Sequence, residues 1–324
     1  MKQLLKTIVL TAGLLTPWLT SAQTDWPSRP VKIIVNGAPG SPGDYTARLL
    51  ADGLAQTFKQ PFVVDNRPGA NGILGTEFAA HQPPDGYTLL LTYTAAQVVN
   101  PYIYDNAKYD GIRDFTAIAQ LGSGGTLLVV PTKIGARNLN EFVTYLKSRS
   151  NDPLSYGSWG VGSGGHLSME VLLLKTGQHM THVPYRTMNS AVLDLAAGRL
   201  DSAFLPMATA RPLLDKGSIR AIAISGPSRH PDLPEVKTMT EQGVSFELAA
   251  WYGLFASGKI PPAIAHKLNA EVRRQLTQPE LQDKWPRMGF TEFPLKTAEE
   301  FAETVRQDAG KWSEIVRKGN IKAE

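Results

Sequence analysis

The sequence predicts an α/β protein of two lobes joined by two chain crossings. Three observations carry this. Strand and helix signals alternate along most of the 324 residues. A strand, a glycine-rich turn and a helix start follow one another three times, at loops 37–44, 69–72 and 160–166. Apolar stretches at 116–130 and 246–255 then break the alternation, one leading out of the first lobe and one leading back.

The first strand is the apolar run 31–35, followed by a helix over 45–58. Ala47, Leu50, Ala51, Leu54 and Phe58 recur at steps of three and four, so one face is buried. Asp44 stands as its expected N-cap. A second strand over 62–65, a short helix over 74–81 and a third strand over 87–91 complete the first series. The crossing at 116–130 carries "GSGG" at its middle. In the second lobe, helices are expected at 141–148, 166–175 and 189–197, and strands at 154–159, 182–185, 200–205 and 220–225. After the aromatic return at 246–255, a helix over 262–276 sets Ile264, Leu268, Val272 and Leu276 at steps of four. A last helix over 298–317 buries Phe301, Val305, Trp312 and Val316. The two lobes share no sequence repeat, and the cleft between them is the expected ligand site.

Composition narrows the function. Residues 1–22 read as a secretory signal, with Lys2 and Lys6 before an apolar core and small residues ending at Ala22. The alternative, a membrane anchor, is short for a span and interrupted by Thr11, Thr16 and Pro17. Without that leader the chain has 31 basic and 29 acidic residues. That balance argues against a nucleic-acid partner. The absence of cysteine excludes disulfides and thiolate metal sites.

The glycine loops suggest an anion. Glycine permits close backbone approach, and the first turn of a helix offers free N–H donors with a partial positive charge. Together they make a seat for a carboxylate or phosphate. Phosphate is poorly supported, because Gly43 is followed by Asp44 rather than by the Lys of a Walker loop. Gly160, Gly162 and Gly165 match G-x-G-x-x-G, which keeps an NADP-binding enzyme as an alternative. The next strand, however, ends at Tyr185-Arg186 rather than at an acidic residue. No nucleophile elbow surrounds Ser163, and His179 and His182 form no metal motif. His166, at the start of the third loop's helix, is placed either to donate to an anion or to cap the helix. Neither a cofactor nor a metal is expected.

The chain resembles the Bug family, the periplasmic solute-binding proteins of tripartite tricarboxylate transporters. The resemblance rests on "WPSRPVKIIV" from Trp26, "VVDNRPGANGILG" from Val63, "PPDGYTLLL" from Pro83, "HVPYR" from His182, "AVLDLAAGRLDSAF" from Ala191, "IRAIAISGPSRHPDLPEVKTMTEQG" from Ile219 and "WYGLFA" from Trp251. It implies a periplasmic-binding-protein type II fold without catalysis. It also implies a small carboxylate ligand, either a di- or tricarboxylate or an aromatic acid, and a membrane permease of one large and one small subunit. Lobe 1 would comprise 23–123 and 247–324, and lobe 2 would comprise 124–246. Carried over by resemblance, the ligand contacts are Gly40, Ser41, Asp44, Ala70 and Gly72 in the first lobe. In the second they are Ser158, Gly162, Ser163 and His166. The receptor is expected to be a monomer in the periplasm. A sensor that presents its ligand-bound form to a two-component histidine kinase is the alternative partner reading.

The chain departs from the family pattern at the first loop. Asn36 stands where relatives carry an aromatic residue, and "PGSPGD" replaces P-G-G-x-[ST]-D, which exchanges residues at Ser41 and Gly43. Leu205 stands near a position where many relatives place an aspartate. Loss of that carboxylate disfavours ligands with an amino group, because a buried ammonium requires a paired charge.

Overall fold

The apolar run at 31–35 forms strand β1 (Val31–Val35), which pairs in parallel with β2 (Phe62–Asn66) on one side and β3 (Thr88–Tyr93) on the other. The computed structural model describes residues 26–152, 154–185, 187–246, 250–279, 284 and 290–322. The signal segment 1–22, Arg186 and the lobe boundary at 247 lie outside the described residues.

The first sheet has the order β2-β1-β3-β10-β4, with β4 (Phe115–Gly124) and β10 (Ala250–Ser257). The second has the order β7-β6-β8-β5-β9. Its strands are β5 (Leu127–Pro131), β6 (Ser155–Ser158), β7 (Thr181–Pro184), β8 (Ser202–Leu205) and β9 (Ile219–Ile224). Both sheets have one plan: three parallel strands with the earliest in the middle, then an antiparallel strand, then a fifth. The antiparallel members, β10 and β5, are the strands that enter each sheet directly after a crossing. This is the two-lobed type II periplasmic-binding-protein fold.

The crossings lie against each other. The Ser225 N–H donates to the Thr126 carbonyl at 2.9 Å, and the Thr126 N–H donates to Ser225 Oγ at 2.8 Å. A Cβ on Gly125 would sit 1.6 Å from the Ser225 carbonyl oxygen, so only glycine lets the two segments touch.

Helices cover the sheets. Helix α1 (Pro42–Phe58) buries Ala47, Leu50, Ala51 and Leu54 on the first sheet. It begins three residues earlier than the periodicity suggests, and its cap is Ser41, whose side chain accepts from the Asp44 N–H. Asp44 is therefore inside the first turn and not the N-cap. Pro42 at the helix start lacks the N–H that the first turn would leave unpaired. Helices α2 (Ile73–Ala80) and α3 (Asn100–Ile103) follow in the first lobe, the latter entered through a π-helical turn at Ala95–Val99. The second lobe contains α4 (Leu139–Ser148), α5 (Gly164–Thr176), α6 (Met188–Ala196) and α7 (Met207–Asp215). Sequence punctuation by Pro206 and Pro212 obscured α7, which holds Pro212 within it. Helix α8 (Pro262–Leu276) and the long α9 (Ala298–Lys318) return to the first sheet. A capping box between Thr297 and Glu300 fixes the start of α9, which buries Phe301, Val305, Trp312 and Val316. No described helix is long and apolar enough to cross a membrane.

Candidate functional site

The carboxyl ends of β1, β3, β6 and β8 face one cavity of about 350 Å³. Ligands in open α/β sheets bind at such ends, where the following helices begin. Four helices start on this cavity: α1 at Ser41, Pro42 and Gly43, α5 at Gly164, α6 at Met188, and α7 at its cap Pro206. Gly43 carries the first donor of α1, since Pro42 has none. Each helix adds a partial positive charge at the same place. None of the described lining residues carries a charge, and Tyr93, Trp159, Phe246, Trp251, Tyr252 and Phe290 supply much of the wall. The arrangement suits an anion with an apolar body, held by dipoles and neutral donors.

The lobes meet over the cavity. The Tyr104 hydroxyl in the first lobe donates to the Val161 carbonyl in the second at 2.8 Å. Gly162, at φ +72°, packs so closely that a Cβ would stand 3.3 Å from both Asn71 Nδ2 and Ile103 Cδ1. The second and third glycine loops thus touch each other across the cleft.

Of the residues carried over by resemblance, Ser41 lines the cavity directly. Gly40 and Asp44 shape the loop beneath it. The Gly40 N–H donates to Asp44 Oδ2 at 2.9 Å, and Arg48 pairs with Asp44 Oδ1 at 2.9 Å. Burial works to raise the Asp44 pKa, but the bonds from Arg48 and Gly40 outweigh it and hold the carboxyl below its ordinary range. That charge is turned away from the ligand space. Ala70 and Gly72, both at positive φ, flank Asn71, and Asn71 reaches the cavity.

In the second lobe, Ser158, Gly162, Ser163 and His166 build the loop rather than line the cavity. The Ser163 side chain caps α5. Ser158 Oγ donates to the Gly160 carbonyl at 3.0 Å, so it accepts from His182 Nε2 at 2.7 Å. The Gly162 N–H donates to His166 Nδ1 at 3.0 Å, which places the His166 proton on Nε2. The rings of His166 and His182 stack at 4.0 Å, and Tyr156 stacks with His182 at 4.9 Å. Burial, helped by the His182 charge, lowers the His166 pKa to about 3, and burial lowers that of His182 to about 4. Both rings are neutral scaffolding under the loop at ordinary pH. His166 reaches back from the first turn of α5 to the backbone just ahead of its cap, and it does not line the cavity.

The residues that sequence reasoning missed come from strand ends distant in the chain. Thr94 accepts the Trp251 N–H at 2.8 Å and donates to the Trp251 carbonyl at 3.2 Å, which joins the ends of β3 and β10 at the cavity wall. Asn71 accepts from the Tyr93 hydroxyl at 3.1 Å and donates to Asn100 Oδ1 at 3.1 Å. The "WYGLFA" segment carried a usable signal, since Trp251 and Tyr252 belong to β10, the late strand that completes the first sheet. Leu205 is buried in the second-lobe core, and its neighbour Pro206 lines the cavity.

Comparison with known proteins gives one answer. The model of the tripartite tricarboxylate transporter family receptor matches residues 46–321. A UPF0065 protein from the tcbD-tcbE intergenic region of Pseudomonas sp. strain P51 is 31% identical over 299 residues, which cover 90% of this chain and 86% of the relative. The R. palustris protein Rpa4515, solved with adipate, superposes with a TM-score of 0.79 at 30% identity, covering 92% of this chain and 99% of its own. MatC from Rhodopseudomonas palustris, solved with bound malate, gives 0.76 at 31% identity over 90% of this chain and 100% of its own.

Proposed function

The chain belongs to the tripartite tricarboxylate transporter receptor family, a family of periplasmic solute-binding proteins, and on that premise we propose that it captures a small organic carboxylate between its lobes and delivers it to a membrane permease. The observation that carries this reading is the convergence of four helix starts on a cavity whose described lining is uncharged. A carboxylate accepts hydrogen bonds only. Gly43 and Gly164 offer backbone donors to it, and Ser41 and Tyr252 offer hydroxyls. Bonds of this kind to a charged group are worth about 1.5–3 kcal/mol each, net of the exchange with water. Adipate and malate in the related structures are acids of the same class.

The lobes would be 23–123 with 247–324, and 124–246. Ligand bridging both lobes would favour the closed form, in which Tyr104 meets Val161. The receptor would act as a monomer in the periplasm after cleavage near Ala22, and would present its closed face to the permease rather than carry out chemistry.

A thermal-shift screen of aliphatic and aromatic carboxylates on the purified protein tests this. An acid at 100 times its dissociation constant should stabilise the fold by about 2.7 kcal/mol. A flat response across the panel would remove the receptor reading.

A further inference from the structure

Asn36 closes the inner end of the cavity, and its amide has a fixed orientation. The Thr76 hydroxyl donates to the Gly72 carbonyl at 2.8 Å, so toward Asn36 it can only accept. Asn36 Nδ2 meets that requirement at 3.0 Å and also reaches Thr92 Oγ1 at 2.7 Å. Thr76 and Thr92 are fully buried, so water cannot substitute for either. The side chain is also wedged in place. A Cβ at Gly72 would stand 2.9 Å from Asn36 Nδ2, and one at Gly75 would stand 2.9 Å from Asn36 Cβ. Both amide protons are therefore committed, and a flipped amide would set an oxygen against the lone pairs of Thr76.

The Oδ1 atom is left. Among the described residues no donor reaches it, and it is not one of the side-chain atoms sealed from open space. The open space beside Asn36 is the cavity. Other polar atoms of the wall differ. Thr94 is saturated by Trp251, Thr126 and Ser225 bind each other, and Asn71 Oδ1 takes the Tyr93 proton. The hydroxyls of Ser41 and Tyr252 can donate. Asn36 Oδ1 is thus a fixed acceptor in a wall otherwise suited to an anion, and it repels a carboxylate placed against it.

We infer that the ligand is an aryl carboxylate carrying a hydroxyl or amide N–H, with its ring among the wall aromatics, its carboxylate toward the helix starts and its donor on Asn36 Oδ1. This rests on the receptor reading above and deepens it. A flat ring fills a wall of Tyr93, Trp159, Trp251 and Phe290 better than a flexible aliphatic chain, because less rotational freedom is lost on binding. A ligand without the donor leaves Asn36 Oδ1 unpaired in a dry pocket, and sites built to pair a hydroxyl reject the analogue that lacks one.

Titration calorimetry with hydroxybenzoates, the fluorobenzoates substituted at the same ring positions, adipate and malate tests the inference. Fluorine is close to a hydroxyl in size and donates nothing. The expected result is that at least one hydroxybenzoate binds tenfold or more tighter than its fluoro partner, and that Asn36→Leu removes the difference. Equal binding of each pair, or binding of adipate and malate but of no aryl acid, would overturn the inference while leaving the receptor reading intact. A difference that persists in folded Asn36→Leu would also overturn it. Binding of no acid by folded protein would instead defeat the receptor reading. The wild-type pairs decide the matter even where the variant does not fold.

Discussion

Gly43 lies against the ring of Tyr252: a Cβ at that position would stand 3.2 Å from Tyr252 Cε1. The two residues are 209 positions apart, and the contact brings the first free N–H of α1 beside a phenol whose hydroxyl has no hydrogen-bond partner among the described residues. A side chain at 43 would require the ring to give by a few tenths of an ångström. Burial pushes the Tyr252 pKa up to about 12, so its hydroxyl keeps its proton and remains a donor across the physiological range.

Tyr252→Phe should weaken acid binding. The lost bond to a charged group is worth about 1.5–3 kcal/mol, or roughly 10- to 150-fold in the dissociation constant. Unfolding should be nearly unchanged, since no described partner is orphaned. Calorimetry on variant and wild type measures this, and unaltered affinity would show that the phenol does not face the ligand.

Gly72→Val is a stability variant before it is a binding variant. Gly72 has φ +85°, and a Cβ there would meet Asn36 Nδ2 and Tyr93 Oη at 2.9 Å and Ala96 Cβ at 3.0 Å. A branched residue in that backbone region costs about 1–2 kcal/mol, and overpacking adds about 1–3 kcal/mol. The Tm should fall by several degrees in the absence of ligand. A variant as stable as wild type would mean that the loop relaxes around the new side chain.

The folded architecture was legible because burial writes itself into short segments. Val31–Val35 is buried at every position but Lys32, and α8 matches the four-residue steps of Ile264, Leu268, Val272 and Leu276 from end to end. The glycine loops also marked the neighbourhood of the cavity. They did not mark its wall, because the wall is made by pairing between distant strands. Thr94 and Trp251 meet only once β3 and β10 lie side by side. Asp44 misled for a related reason. Its type and position suit a cap, but Ser41 does that work, and the carboxylate turns to Gly40 and Arg48. The common plan of the two sheets left no sequence repeat, since strand order constrains apolar pattern and not residue identity.

Stability should fall on acidification through His166. Its folded pKa of about 3 lies below its unfolded value of 6.5. Below pH 6.5 the unfolded chain therefore binds the proton that the folded ring refuses, and stability is lost as pH falls toward the folded value. The slope has a ceiling of about 1.4 kcal/mol per pH unit. The groups facing the ring do not rescue the proton: the Gly162 N–H occupies Nδ1, His182 stacks on one face, and Glu170 is 3.9 Å from Nε2. His166→Asn keeps an acceptor for Gly162 and removes the titration. Urea unfolding at pH 7, 5.5 and 4.5 should show wild type losing about 1 kcal/mol more per pH unit than the variant. Parallel curves would place the proton elsewhere.

Tyr104→Phe should loosen the closed form without touching the ligand. Its hydroxyl donates to the Val161 carbonyl across the cleft, and Tyr104 does not line the cavity. A neutral hydrogen bond of this kind is worth about 0.5–1.5 kcal/mol, which corresponds to roughly 2- to 12-fold in affinity. The bond exists only once the lobes have met, so its loss should appear in the dissociation rate while the association rate stays near wild type. Stopped-flow kinetics with an acid found in the screen separates the two rates. A slower association with unchanged dissociation would mean that Tyr104 acts on the open form, and equal rates would mean that the Gly162 contact with Asn71 and Ile103 is sufficient to hold the lobes together.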